Sequence, residues 1–135
     1  LNLIAVARHD AGGLSLLLMT LSSSSSVPAC ESLGTLPLRG SDTYIHPPAI
    51  AWNGVEWAVT YDVEHIAPVT GAPVRWVGVA IWNPMAGAPT NRLFDGPADV
   101  PGERPSITWA GDRWILRYSS PSGVRLLAGS MRPVP

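Results

Sequence analysis

The residues best suited to chemistry fall in three short polar segments of the chain. In chain order these segments contain Asp42 and His46, Asp62 and His65, and Glu103 and Arg104. Imidazole and carboxylate groups transfer protons and bind metal ions, and charged groups of both signs recognise polar ligands. These six residues are the candidate ligand-binding residues.

The pattern of these residues narrows the chemistry. A metal ion could be bound by Asp42 with His46, or by Asp62, Glu64 and His65. Neither spacing matches a recognised metal-ligand motif. Asp42 and Glu103 could serve as the two acids that glycoside hydrolysis requires across a cleft. The chain contains no Gly-x-Ser-x-Gly nucleophile motif. We therefore predict a binding site without a catalytic residue, metal or cofactor, and keep a glycoside hydrolase as the alternative.

The elements that must position these residues are organised around a repeated stretch. PAIAWNGVEWAVTY (48–61) recurs 57 positions later as PSITWAGDRWILRY (105–118), with six of fourteen residues identical. A period of this length is typical of repeat architectures. The identical residues include Trp52 and Trp109, Gly54 and Gly111, and Trp57 and Trp114, which we interpret as a structural framework that packs between repeats.

Strand patterns dominate the rest of the chain. The pair Asn53-Gly54 separates two apolar runs, Ala49–Trp52 and Val55–Tyr61, and predicts a two-residue type I′ hairpin turn. The segment Val74–Trp82 is apolar on both faces, which predicts a strand buried between two layers. A fourth strand is predicted at Thr90–Phe94. No segment shows a convincing 3.6-residue apolar period, so the fold class is predicted to be all-β.

Residues 1–30 allow two interpretations. In the first, they form a partial copy of the repeat, with strands at Leu3–Ala7 and Leu14–Thr20 joined by the turn His9–Gly13. In the second, the apolar run Leu14–Leu21 and the small residues before Cys30 form a lipoprotein-type signal, which would anchor the protein at Cys30. We favour the repeat.

Composition excludes several partners. The 135 residues are about the size of one domain, with a formal charge of −1 and only 14% charged residues. Nucleic acids and anionic membranes are recognised through basic patches, so neither is an expected partner, and no membrane span is expected. The single cysteine forbids an intramolecular disulfide.

The pattern Pro-x-Ile-x-Trp-x-Gly-x-x-Trp-x-x-x-Tyr resembles the blades of secreted bacterial β-propeller repeat proteins. The resemblance implies antiparallel four-stranded blades, about two and a half in this chain: a partial blade over 1–38, a full blade over 39–95 and a partial blade over 96–135. Closed propellers need at least four blades. The resemblance therefore implies a part of a longer chain, or copies that associate.

The same resemblance places the six candidate residues. In a four-stranded blade, the loops that precede the inner strand and join the second to the third strand lie on one face of the disc. All six candidate residues fall in those loops, together with His9. The implied function is a non-enzymatic binding or scaffolding module, secreted or on the cell surface. Its partners would be further blades, copies of itself, or a carbohydrate or protein ligand. The alternatives are a propeller-type glycoside hydrolase, a carbohydrate-binding domain, and a purely structural repeat for assembly.

Overall fold

The computed structural model describes residues 2–10, 13–21, 29–36, 42–83, 90–93, 100–129 and 132–133. Within these ranges every regular element is a β-strand, and no helix occurs. The prediction of an all-β chain is confirmed. Among the same residues, no helix is long and apolar enough to cross a membrane.

The described residues contain thirteen strands. In chain order they are β1 (Asn2–Asp10), β2 (Gly13–Leu21), β3 (Ala29–Leu36), β4 (Thr43–Tyr44), β5 (Ala49–Trp52), β6 (Trp57–Ile66), β7 (Pro73–Trp82), β8 (Thr90–Leu93), β9 (Val100–Pro101), β10 (Glu103–Trp109), β11 (Trp114–Ser120), β12 (Gly123–Gly129) and β13 (Arg132–Pro133).

These strands form three antiparallel sheets. The first sheet has the order β1-β2-β3 and the third has the order β10-β11-β12. The middle sheet is built on β6 and β7, which pair over their full length from Trp57 opposite Trp82 to Ile66 opposite Pro73. Strands β5 and β4 pair with β6, while β8 and β9 pair with β7, and β13 pairs with β8.

The first sheet contains the two strands that the repeat interpretation predicted near the start of the chain. Both are longer than expected, because pairing continues to Asp10 opposite Gly13. His9 and Asp10 therefore belong to β1 rather than to a turn. Cys30 lies in β3, opposite Met19 of β2. The serine run 22–26 lies outside the described residues.

The middle sheet is buried on both faces. On one face, Ala58, Val79 and Ile81 form a cluster with residues of the third sheet, among them Ile107 and Leu116. On the other face a second cluster contains Val59, Tyr61, Val63, Ala80 and Trp82, together with Leu14 of the first sheet. All six residues from Val77 to Trp82 are buried. The prediction of a strand between two layers is confirmed for this half of β7.

The hairpins that join β5 to β6 and β10 to β11 have the same geometry. Trp52 pairs with Trp57 across a four-residue loop, and Trp109 pairs with Trp114 across another. The indole centroids lie 4.7 Å apart in the first pair and 4.9 Å apart in the second. Trp114 is buried against the middle sheet, whereas Trp52 is 41% exposed and is not a core residue.

The prediction of a two-residue type I′ turn is wrong. Asn53 Oδ1 accepts hydrogen bonds from the backbone N–H groups of Val55 and Glu56, at 2.9 and 2.8 Å. These bonds favour a longer loop, in which Val55 is exposed rather than part of the strand. Only Gly54 needs a positive φ, of 101°, and Gly111 takes the same place in the second hairpin with a φ of 96°.

Candidate functional site

One face of the middle sheet changes from apolar to polar along its length. Side chains alternate across a strand, so Asp62 and Glu64 of β6 point to the same side as Ala58. That side packs against the third sheet. On β7, Arg75 lies directly opposite Glu64, past the buried Val77. The polar residues therefore lie at one end of the layer between the middle and third sheets.

Asp62 is the buried centre of this end. It is only 1% exposed. Its Oδ1 accepts a hydrogen bond from the backbone N–H of His46 at 3.0 Å, and its Oδ2 lies 2.5 Å from His46 Nδ1. Oδ2 also accepts a hydrogen bond from the backbone N–H of Arg104 at 2.8 Å. One carboxylate thus connects β6 with the segment before β5 and with the third sheet.

The environment keeps Asp62 ionised. Burial raises the pKa of the Asp62 carboxyl, but the hydrogen bonds from Arg104 N–H and from the ring and N–H of His46 outweigh burial and hold the pKa below its ordinary value. Arg104 donates its bond from a φ of 54°, the left-handed region, which non-glycine residues seldom adopt. Backbone strain of this kind costs about 1–3 kcal/mol and persists only where surrounding contacts impose it.

A second imidazole–carboxylate pair lies on the opposite side of β6. His65 Nδ1 is 2.9 Å from Asp42 Oδ1. The side chains are 39% and 21% exposed, so this pair is more accessible to solvent than Asp62 is. Alternation along β6 places His65 on the face of Tyr61 and Val63, toward the first sheet.

Arg75 lies between two glutamates. Its Nε donates to Glu64 Oε2 at 3.2 Å, and its Nη1 donates to Glu103 Oε2. The hydrogen bonds to Glu64 and Glu103 raise the pKa of Arg75. The three side chains are between one third and one half exposed. Because Glu103 belongs to β10, the arginine links the middle and third sheets at the surface.

A cleft of about 410 Å³ opens beside this arginine. Its walls are residues 73–75 at the start of β7, residues 101–103 between β9 and β10, and residues 119–121 at the end of β11. Gly102 lies against the ring of Tyr118, where an added Cβ would come within 2.6 Å of Cδ2. The cleft therefore follows the boundary between the middle and third sheets.

The structure places the six residues predicted from the sequence in three separate groups, and the Asp42–His65 pair lies on the opposite face of β6 from Asp62. Asp62 holds His46 and the backbone of Arg104, Asp42 contacts His65, and Glu103 contacts Arg75. Their placement in loops was wrong for four of them. Asp62 and His65 belong to β6, and Glu103 and Arg104 belong to β10. Strand β6 continues to Ile66 because its pairing with β7 does not stop at Tyr61.

Sequence reasoning missed Arg75 as a site residue. The available signal was a charged residue near the start of an otherwise apolar strand, at a position of the same parity as Val77. Period-2 alternation past Tyr61 would also have placed Asp62 and Glu64 on one face together.

The observed pairs bear on the metal and hydrolase hypotheses. Among the described residues, no three His, Cys, Asp or Glu side chains are grouped to hold a metal ion. Asp42 and Glu103, the acids considered for glycoside hydrolysis, contact His65 and Arg75 respectively. Both carboxylates thus take part in cross-strand or cross-sheet contacts.

The chain matches no protein-family model, no curated protein and no solved structure. The geometry of this end of the sheets is therefore the basis of any functional proposal.

Proposed function

We propose that this chain is a non-enzymatic binding module of β-propeller type, and that its binding surface is the end of the middle and third sheets that carries Asp62. The observation that supports the proposal most is the Asp62 cluster. A buried carboxylate that holds the backbone at His46 and at Arg104 fixes two separate segments at this end of the sheets. A fixed surface binds with a smaller loss of conformational entropy.

The propeller interpretation draws on the arrangement of the sheets. Antiparallel strands follow one another in sequence order in the first and third sheets, and the middle sheet packs face to face against both. The two tryptophan hairpins occupy equivalent positions in the middle and third sheets. Each feature is expected of neighbouring blades. A secreted or cell-surface location follows from the resemblance to secreted bacterial repeat proteins.

An array of defined glycans and peptides tests the binding function. We expect saturable binding of at least one probe, and a reduction of at least fivefold in His46→Gln and Glu103→Gln. The control is Asp112→Asn, which removes the same charge at the opposite, hairpin end of the third sheet. Circular dichroism would show that each variant is folded. Failure to bind any probe, or binding that is unchanged in both variants, would contradict the proposal.

Assembly is a second candidate function, supported by strand β12. In the middle sheet the outer edge of β7 pairs with β8 and β9, whereas within the described residues β12 pairs only with β11. Val124 and Leu126 of β12 are 57% and 66% exposed. An edge of this kind accepts a further strand. Sedimentation velocity over a concentration series would detect the resulting oligomer, and a monomer at every concentration would exclude self-assembly.

A further inference from the structure

The cleft beside Arg75 offers few hydrogen-bond donors to a ligand. Pro73, Pro101 and Pro121 line it, and proline has no backbone N–H. The N–H of Gly102 already donates to the carbonyl of Arg75 at 3.1 Å. The hydroxyl of Ser120 already donates to the carbonyl of Gly123 at 2.9 Å. The guanidinium of Arg75, the one cationic group among the lining residues, already donates to Glu64 and Glu103. A ligand that mainly accepts hydrogen bonds, such as a carboxylate or phosphate, would therefore compete with two glutamates for it.

The charge of the ion-pair group beside the cleft favours the opposite kind of ligand. The guanidinium of Arg75 is shared by Glu103, which lines the cleft with it, and by Glu64, which is not part of the lining. The group of three therefore carries one excess negative charge. Its members are partly exposed, so a second cation can reach the carboxylates from solvent without any rearrangement of the core.

Most of the remaining wall is apolar. Three proline rings and Val74 surround the cleft, and its volume of about 410 Å³ lies within the range of small-ligand sites. The complementary group combines an aliphatic stem with a cationic head. Arginine and lysine side chains have this form, since they pack their methylene groups on apolar surfaces while the charged end reaches a polar partner.

We propose that the cleft binds an arginine side chain presented by a peptide or protein partner. The methylene groups would pack against the proline rings, and the guanidinium would contact Glu103. Arginine is preferred to lysine because its planar guanidinium contacts a carboxylate through two parallel hydrogen bonds. This inference rests on the proposed binding function and specifies the partner.

The test is an NMR titration of the ¹⁵N-labelled protein with acetyl-Gly-Arg-Gly-amide. Two matched peptides replace arginine with citrulline, its neutral isostere, or with glutamate. We expect the shifts to be centred on Gly102, Glu103 and Ser119. The citrulline peptide should bind about 2- to 5-fold more weakly, as expected for the loss of one partly exposed charged pair. The glutamate peptide should not bind at this site.

Two protein variants change the affinity in opposite directions. Glu103→Gln should weaken binding of the arginine peptide about 2- to 5-fold and leave the citrulline peptide unaffected. Arg75→Gln should strengthen binding of the arginine peptide several-fold, because it removes the cation that competes for the same carboxylates. A merely structural role for Arg75 predicts weaker binding instead. Asp112→Asn is the control and should change neither affinity.

Three results would overturn the inference: equal affinity for the arginine and citrulline peptides, weaker binding in Arg75→Gln, or preference for the glutamate peptide. If an array probe still binds and depends on His46 and Glu103, the proposed binding function stands and only the arginine specificity is wrong. If neither the array nor the peptides bind, both proposals fail.

Discussion

Replacing Asp62 with asparagine tests whether the buried carboxylate holds this end of the middle and third sheets together. Asparagine has nearly the same shape but only one acceptor oxygen. Three donors surround the native carboxylate: His46 N–H, His46 Nδ1 and Arg104 N–H. If the asparagine oxygen replaces Oδ2, its NH₂ group faces the His46 N–H, and one buried donor loses its partner.

The expected loss is about 2–3 kcal/mol. A hydrogen bond to a charged group contributes about 1.5–3 kcal/mol, and an unsatisfied buried donor costs about 1–3 kcal/mol. Both ranges describe the loss of the same hydrogen bond, so they are not added. For a domain of this size, the loss corresponds to a fall in melting temperature of roughly 8–12 °C. Relief of the strain at Arg104 would offset a part of it.

The measurement is equilibrium unfolding in urea, followed by the fluorescence of the six tryptophans. The control is Asp112→Asn, whose side chain is exposed and pairs with its neighbour Arg113. We expect the control to leave the unfolding free energy nearly unchanged, because the pair is fully exposed. A change as small as this in Asp62→Asn would refute the reasoning.

The difference between wild type and Asp62→Asn should depend on pH. The pKa of Asp62 is lower in the folded protein than in the unfolded chain. The carboxylate therefore contributes its full stability above the unfolded pKa, near 4, and loses it as the pH falls through the folded value. The two unfolding curves should differ at pH 7 and converge below pH 4. A difference that grows on acidification would contradict the assigned direction of the pKa shift.

Three further substitutions test the framework, each by urea unfolding. Thr60→Val should stabilise the protein by about 1 kcal/mol, because the fully buried Thr60 hydroxyl has no hydrogen-bond partner among the described residues; a loss of stability would reveal a partner. Gly111→Ala should cost about 1–2 kcal/mol through its φ of 96° alone, since no atom lies within 4 Å of an added Cβ, and an unchanged stability would show that the loop adapts. Gly78→Ala should cost about 2 kcal/mol or more, because the new Cβ would lie 2.6 Å from Tyr61 Cε2; an unaltered near-UV dichroism spectrum with unaltered stability would contradict this contact.

The local features of the fold could be predicted from the sequence because they depend on neighbouring residues. The all-β class followed from the alternation of apolar residues and the frequency of turn residues. The burial of Val77–Trp82 followed from a run that is apolar at both parities. The alternation in the third sheet was also visible, with Trp114, Leu116 and Tyr118 buried and Arg117 exposed. The turn at Asn53 was mispredicted because side-chain capping of the loop competed with the type I′ preference.

The sequence determined which residues of the candidate site are present and that they fall in three polar segments of the chain. Tertiary structure decided which of them meet. His46 and Asp62 are 16 residues apart, Asp42 and His65 are 23 apart, and Asp62 and Arg104 are 42 apart. Such contacts depend on the register of β4 against β6 and on the packing of one sheet against the next. The role of Arg75 arises in the same way, because only the stacking of the third sheet brings Glu103 to it, 28 residues along the chain.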